Sequence, residues 1–179
     1  YALLCQGDRI LTATKQDFSD TILVHSIDSI PWYEQDITLK KPLSARYLIY
    51  RTNSGLLKFL GDISAFDVNG ARLTGKLSGN PGHTKYPLEN AFDENRESYI
   101  YFDKSRGQAD YVAMDFGKNE IVSSVRFCPR NDDNAIIPGD EYELFYWDKG
   151  WISLGKINAG KERKVHFKNV PKGALLRLQ

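Results

Sequence analysis

Short runs in which apolar and polar residues alternate recur along the 179-residue chain, and each is closed by Gly, Pro, Asn or Asp. A period of two places every second side chain on one face of a β-strand, and turn-forming residues at this spacing mark strand ends. The pattern predicts strands over residues 21–26, 36–40, 46–50, 63–67, 109–115, 123–128, 142–147, 151–154, 164–168 and 174–178. Asp148-Lys149-Gly150 joins two of them as a hairpin loop, with Gly expected to supply a positive φ. Asp67-Val68-Asn69-Gly70 opens like a calcium loop but lacks the later ligands, and it reads as a hairpin turn. No segment holds a 3.6-residue apolar period over three turns, and a single helical turn is expected at 86–92. Many short strands at this spacing predict an all-β, antiparallel β-sandwich of jelly-roll type.

Length and composition refine that picture. At 179 residues the chain amounts to about one domain and can bury a core without staples. With 41% hydrophobic and 12% aromatic residues it is a folding sequence rather than a disordered one. Its 24 basic and 23 acidic residues lack the excess that binding to nucleic acid phosphates demands. The one basic cluster, Lys161, Arg163 and Lys164, encloses Glu162 and reads as a solvated strand face. No window of about 20 apolar residues exists to span a bilayer. The sequence opens on Tyr1, as expected of a processed or excised fragment. Cys5 and Cys128 are too few for a disulfide scaffold; two unpaired buried thiols are expected, with a single bridge as the alternative.

Catalytic signatures fail on inspection. Asp115-Phe116-Gly117 imitates a kinase triplet without a Gly-rich loop or catalytic loop, and Gly79-Asn80-Pro81-Gly82-His83-Thr84-Lys85 lacks the ending of a phosphate loop. His25 and His166 are placed mid-strand, where they make poor partners for a shared metal. A glycosidase would need two carboxylates about 5–9.5 Å apart; Asp132, Asp133, Asp140 and Glu141 keep that reading open as a third choice.

Pro42-Leu43-Ser44-Ala45 and Pro171-Lys172-Gly173-Ala174 share a spacing that leads into an apolar run, a weak internal repeat. Five elements in order, Asn90-Ala91-Phe92-Asp93, Met114-Asp115-Phe116-Gly117, Ser124 to Arg130, Tyr142-Glu143-Leu144-Phe145-Tyr146 and Trp151-Ile152-Ser153-Leu154-Gly155, resemble the discoidin, or coagulation-factor type C, family of the galactose-binding-like superfamily. The run from Pro129 to Asn134 is similar to the version appended to secreted gut-bacterial enzymes. The resemblance covers residues 67–179 as a discoidin-like domain. Residues 1–66 would then be closing strands of a preceding copy or strands that complete the same sandwich.

That resemblance implies a non-catalytic, calcium-braced carbohydrate-binding module of a larger extracytoplasmic bacterial protein, covalently attached to an enzyme domain. Its glycan would be held by loops at one end, with candidate loops at 78–89, 93–98, 103–110 and 130–139. Sugar recognition needs an aromatic face for the C–H side of a pyranose and fixed polar groups for its hydroxyls. His83 and Tyr86, with Arg130, Asn131, Asp132 and Asn134, supply those types. An internal Arg130–Asp132 ion pair and a packed Tyr86 are the structural alternatives. Trp147 and Trp151 flank a hairpin, one expected in the core and one exposed. The family's calcium loop is similar to Asp93-Glu94-Asn95-Arg96-Glu97-Ser98, with Asp93, Asn95 and Ser98 as metal ligands. Glu94 stands where the family commonly has Gly and is expected to resist the positive φ that lets carbonyls converge. The family's closing acidic ligand would lie beyond Gln179, unless Asp62 serves. A spacer or protein-interaction domain without a sugar site is the competing function.

Overall fold

The computed structural model describes residues 1–53, 57–103, 110–132 and 135–179. The chain is all-β and antiparallel, and its only helical pieces among the described residues are 3₁₀ turns at Ala2–Cys5 and Leu88–Ala91. The expected helical turn is the second of these. No helix is long and apolar enough to cross a membrane among the described residues. The chain divides into two compact units, Tyr1–Asp133 and Asn134–Gln179.

The first unit contains β1 (Arg9–Ala13), β2 (Ile22–Ser26), β3 (Gln35–Arg51), β4 (Leu57–Leu60), β5 (Asp62–Phe66), β6 (Lys76–Gly79), β7 (Gly82–His83), β8 (Tyr86–Pro87), β9 (Ile100–Asp103) and β10 (Tyr111–Cys128). One sheet runs β2-β1-β3-β10-β5, with β6 also paired to β10. β4 pairs with β9, and β7 with β8. Strands on both sides of residue 66 therefore share one sheet, since β3 and β5 both pair with β10.

Two pairs of expected strands are each a single long strand. Residues 36–40 and 46–50 both lie in β3, while 111–115 and 123–128 both lie in β10. Pro42 does not end β3 because it falls where the pairing with β10 slips, between Leu43↔Val122 and Thr38↔Ser124. A proline without an N–H is tolerated at such a bulge. The pairing of β10 with β3 shifts register between Asp115 and Glu120, where Gly117 takes φ +81°. Its first half pairs with β6 and its second half with β5, so one strand serves two edges.

Both faces of the central strands are covered. Leu48, Tyr50, Val112 and Met114 enter the main core, joined by Leu60, Ile63, Ile100, Phe102, Val125 and Phe127. Their alternating neighbours Tyr47, Ile49 and Ala113 join Leu11 and Ala13 on the other face, beneath Phe18 and Tyr111. Strands buried on two faces read as continuous apolar runs, as Tyr47-Leu48-Ile49-Tyr50 does. At the edge of the main core, Lys58 Nζ lies 3.1 Å from the Asp8 carboxylate, which also accepts the Tyr50 hydroxyl at 2.8 Å and the Asn53 amide at 2.8 Å. Burial raises the Asp8 pKa. Cys5 and Cys128 are free and buried. Burial pushes their thiols up to about 11 and about 12, far from the thiolate form that reacts.

The second unit holds β11 (Glu141–Trp147), β12 (Trp151–Asn158) and β13 (Leu176–Leu178), in the order β12-β11-β13. The hairpin forms as expected, but Lys149, not Gly150, takes the positive φ, at +55°. Trp147 and Trp151 meet edge to face at 5.4 Å and both are exposed, which corrects the expectation that one enters the core. Residues 164–168 form no strand, so neither the basic cluster at 161–164 nor His166 lies on one. The repeat does not extend to structure: Pro42 is inside a strand, whereas the Pro171 carbonyl accepts the Ala174 amide in a turn.

Candidate functional site

In the first unit, an aromatic cluster gathers His83, Tyr86 and Arg130. His83 and Tyr86 face each other across the β7–β8 hairpin. The Lys85 amide donates to His83 Nδ1 at 3.2 Å, which fixes that nitrogen as an acceptor. The Tyr86 ring stacks on Tyr99, with centroids 4.5 Å apart and planes 23° from parallel, and meets Tyr101 edge-on at 5.9 Å. Lys85 Nζ sits 5.4 Å from the Tyr86 ring centre. Burial, with help from the Tyr86 contact, raises the Tyr99 hydroxyl to about 12, whereas the Tyr99 contact and Lys85 lower that of Tyr86.

Arg130 is held between rings. Its guanidinium carbon lies 3.7 Å from the centroids of both Tyr1 and Tyr99 and 4.7 Å from that of Phe59. Nε donates to Asp132 at 2.9 Å and Nη2 at 3.4 Å. The side chain is 14% exposed, so most of the cation is spent inside the protein. A stacked, ion-paired guanidinium is a rigid floor for neighbouring rings. The Asn131 amide lies 4.0 Å from Cys128 Sγ, and Asn134 falls outside the described residues, as do residues 104–109 of the third candidate loop.

A shallow pocket of about 330 Å³ opens beside the stack, lined by Lys85, Tyr86, Asn90, Asn95, Glu97, Ser98 and Tyr99. It brings the Tyr86 hairpin and the 93–98 loop onto one surface. Sequence reading missed Tyr99, Tyr101 and Phe59. The signal for the two tyrosines is the Tyr99-Ile100-Tyr101-Phe102 alternation: Ile100 and Phe102 are fully buried, which leaves Tyr99 and Tyr101 on the opposite face.

The 93–98 loop is organised around the Ser98 hydroxyl. Four acceptors lie within reach of Ser98 Oγ: Asp93 Oδ1 at 2.9 Å and Oδ2 at 2.8 Å, the Asn95 carbonyl at 3.0 Å and the Asn90 carbonyl at 3.3 Å. A hydroxyl has one proton and serves few of them at once. Convergent hard oxygens of this kind, a carboxylate and backbone carbonyls, are the donor chemistry calcium uses. Asn95 contributes through its carbonyl, because its side-chain oxygen accepts the Glu97 amide at 3.0 Å. Among the described residues no group of three or more His, Cys, Asp or Glu could hold a metal ion.

Glu94 does adopt positive φ, +60°, contrary to the expectation from its side chain. The compensation is visible: its amide donates to Asp62 Oδ2 at 2.9 Å and its carboxylate pairs with Arg72 at 3.2 Å. Asp62 thus braces the loop from beneath. Burial, and to a lesser degree the field of Asp93, lifts its pKa to about 6.

Of the carboxylates suggested for hydrolysis, Asp132 pairs with Arg130 and Glu141 with Lys156 at 2.7 Å. Asp133 lies outside the described residues. Comparison with protein-family models, with curated proteins and with solved structures finds no match for this chain.

Proposed function

We propose that this chain is a non-catalytic, discoidin-like carbohydrate-binding module that takes a glycan at the Tyr86 surface. The observation that carries this reading is the Tyr86–Tyr99 stack at the mouth of an open pocket whose other walls are amides, a hydroxyl, a lysine and a carboxylate. Exposed aromatic surface takes the C–H face of a sugar and the polar rim its hydroxyls. A calcium ion bound by Asp93 and the Asn90 and Asn95 carbonyls would brace the adjoining loop. Attached to an enzyme in an extracytoplasmic protein, such a module raises local substrate concentration without new chemistry.

A glycan array probed with and without calcium tests the reading. Binding is expected, about tenfold weaker for Tyr86→Ala, the equivalent of about 1.4 kcal/mol, and weaker again when calcium is removed. No binding under either condition favours the spacer reading. That alternative draws on Arg130, whose ring and carboxylate contacts resemble an internal clamp more than a ligand hand.

A further inference from the structure

A second pocket lies over the smaller apolar cluster, on the face of the large sheet away from the main core, and shares no lining residue with the loop surface. It measures about 300 Å³ and is lined by Gln16, Phe18, Tyr47, Lys76, Leu77, Ser78, Tyr111 and Asp115. That volume is at the low end for small-molecule sites, about 300–1,000 Å³, and suits one six-membered ring.

Three rings shape it. Phe18 meets Tyr47 at 5.3 Å and 71°, and Tyr111 at 5.5 Å and 88°. Rings set edge to face form a corner rather than a parallel slot. A chair-shaped ring presents C–H bonds to two walls of a corner at once. Phe18 holds a left-handed φ of +56°, which costs about 1–2 kcal/mol in an L-residue. Strain of this kind persists only where the surroundings impose it. The Phe18 amide donates to the Lys15 carbonyl at 3.1 Å, and Asp20 ties the ends of this loop by accepting the Thr14 amide at 3.2 Å, the Lys15 amide at 3.1 Å and the Thr14 hydroxyl. The ring is therefore positioned before any ligand arrives.

The polar side of the pocket is mixed. The Asp115 carboxylate is fixed by Arg46 Nε at 2.8 Å, Arg46 Nη2 at 2.9 Å and the Gly117 amide at 2.8 Å, which leaves capacity for a further donor. Lys76 makes no ion pair among the described residues, and Ser78 is exposed on edge strand β6. With Arg46 and Lys76 against Asp115, the balance disfavours a cationic ligand.

We infer that this pocket is a second sugar site that takes a single pyranose, with Lys76 placed to favour one bearing a carboxylate. It stands whether or not the Tyr86 surface binds glycan. Saturation-transfer NMR on the Tyr86→Ala chain, probed separately with glucose, galactose and glucuronate, lowers the contribution of the other surface about tenfold. At least one probe is expected to receive saturation. Adding Tyr111→Ala or Ser78→Trp should reduce that signal at least fivefold, Ser78→Trp by filling an exposed edge position without touching the core. If Tyr111→Ala lowers the melting temperature sharply, Ser78→Trp decides. Absence of saturation with all three probes, or a signal that survives Ser78→Trp, overturns the site.

Discussion

Asp62 is a residue whose environment makes a sign prediction. An unfolded aspartate titrates near 3.8, and burial in the folded chain raises Asp62 to about 6. Between those values the folded state binds the extra proton, so stability falls as pH rises from about 4 to about 6 and this contribution is constant above that. The difference is on the order of 3 kcal/mol. An asparagine can still accept the Glu94 amide and can donate to Ser64. Asp62→Asn should therefore match the parent near pH 4 and exceed it by about 2–3 kcal/mol at pH 7, as urea denaturation at both values would measure. Equal offsets at the two pH values would exclude this account. The Lys58–Asp8 pair argues differently, because its partners are already matched. Lys58→Met leaves a buried carboxylate uncompensated and should cost about 3–5 kcal/mol in the same assay. Neither prediction could be made from sequence. Asp62 reads from sequence as a candidate calcium ligand, and only tertiary structure shows that it and Lys58 are buried.

At the scale of elements, β10 and its partner β6 each carry a glycine, under opposite constraints. Gly117, at φ +81°, bends the strand in open space, where an added Cβ would meet nothing within 4 Å. Gly79, at φ +108°, closes β6 against Tyr111, and a Cβ there would run into the Tyr111 carbonyl. Gly117→Ala should cost only the conformational penalty, about 1–2 kcal/mol. Gly79→Ala adds a backbone clash and should cost more, with the loss concentrated in β6. Urea denaturation ranks the two, and hydrogen exchange of the Ser78 amide reports the strand directly. Period-two patterning found most strands because it depends only on neighbours in sequence. It broke β3 and β10 into pieces, since Pro42 and Gly117 resemble terminators and their tolerance rests on a partner strand that slips at the same place.

For the molecule as a whole, the division at residue 133 carries a thermodynamic consequence. Every member of both apolar clusters lies between Cys5 and Phe127. The second unit has three strands, and its Trp147, Trp151, Ile152, Leu175, Leu176 and Leu178 are all exposed. Three short strands with so little buried are marginal on their own. A fragment of residues 1–133 should unfold in one cooperative thermal transition, and a fragment of residues 134–179 should show none by circular dichroism. A cooperative melt of the shorter fragment would contradict this. The sequence by itself determined the all-β class, the 142–154 hairpin, the turn at Asp67 and the presence of an aromatic with an arginine in candidate loops, because alternation and turn chemistry are local properties. It could not place Tyr1, Phe59 and Tyr99 around Arg130, turn Ser98 toward four oxygens, or set Phe18 over Tyr47 and Tyr111. Those meetings join residues as far apart as Tyr1 and Arg130, and only the pairing of strands distant in sequence decides which side chains become neighbours.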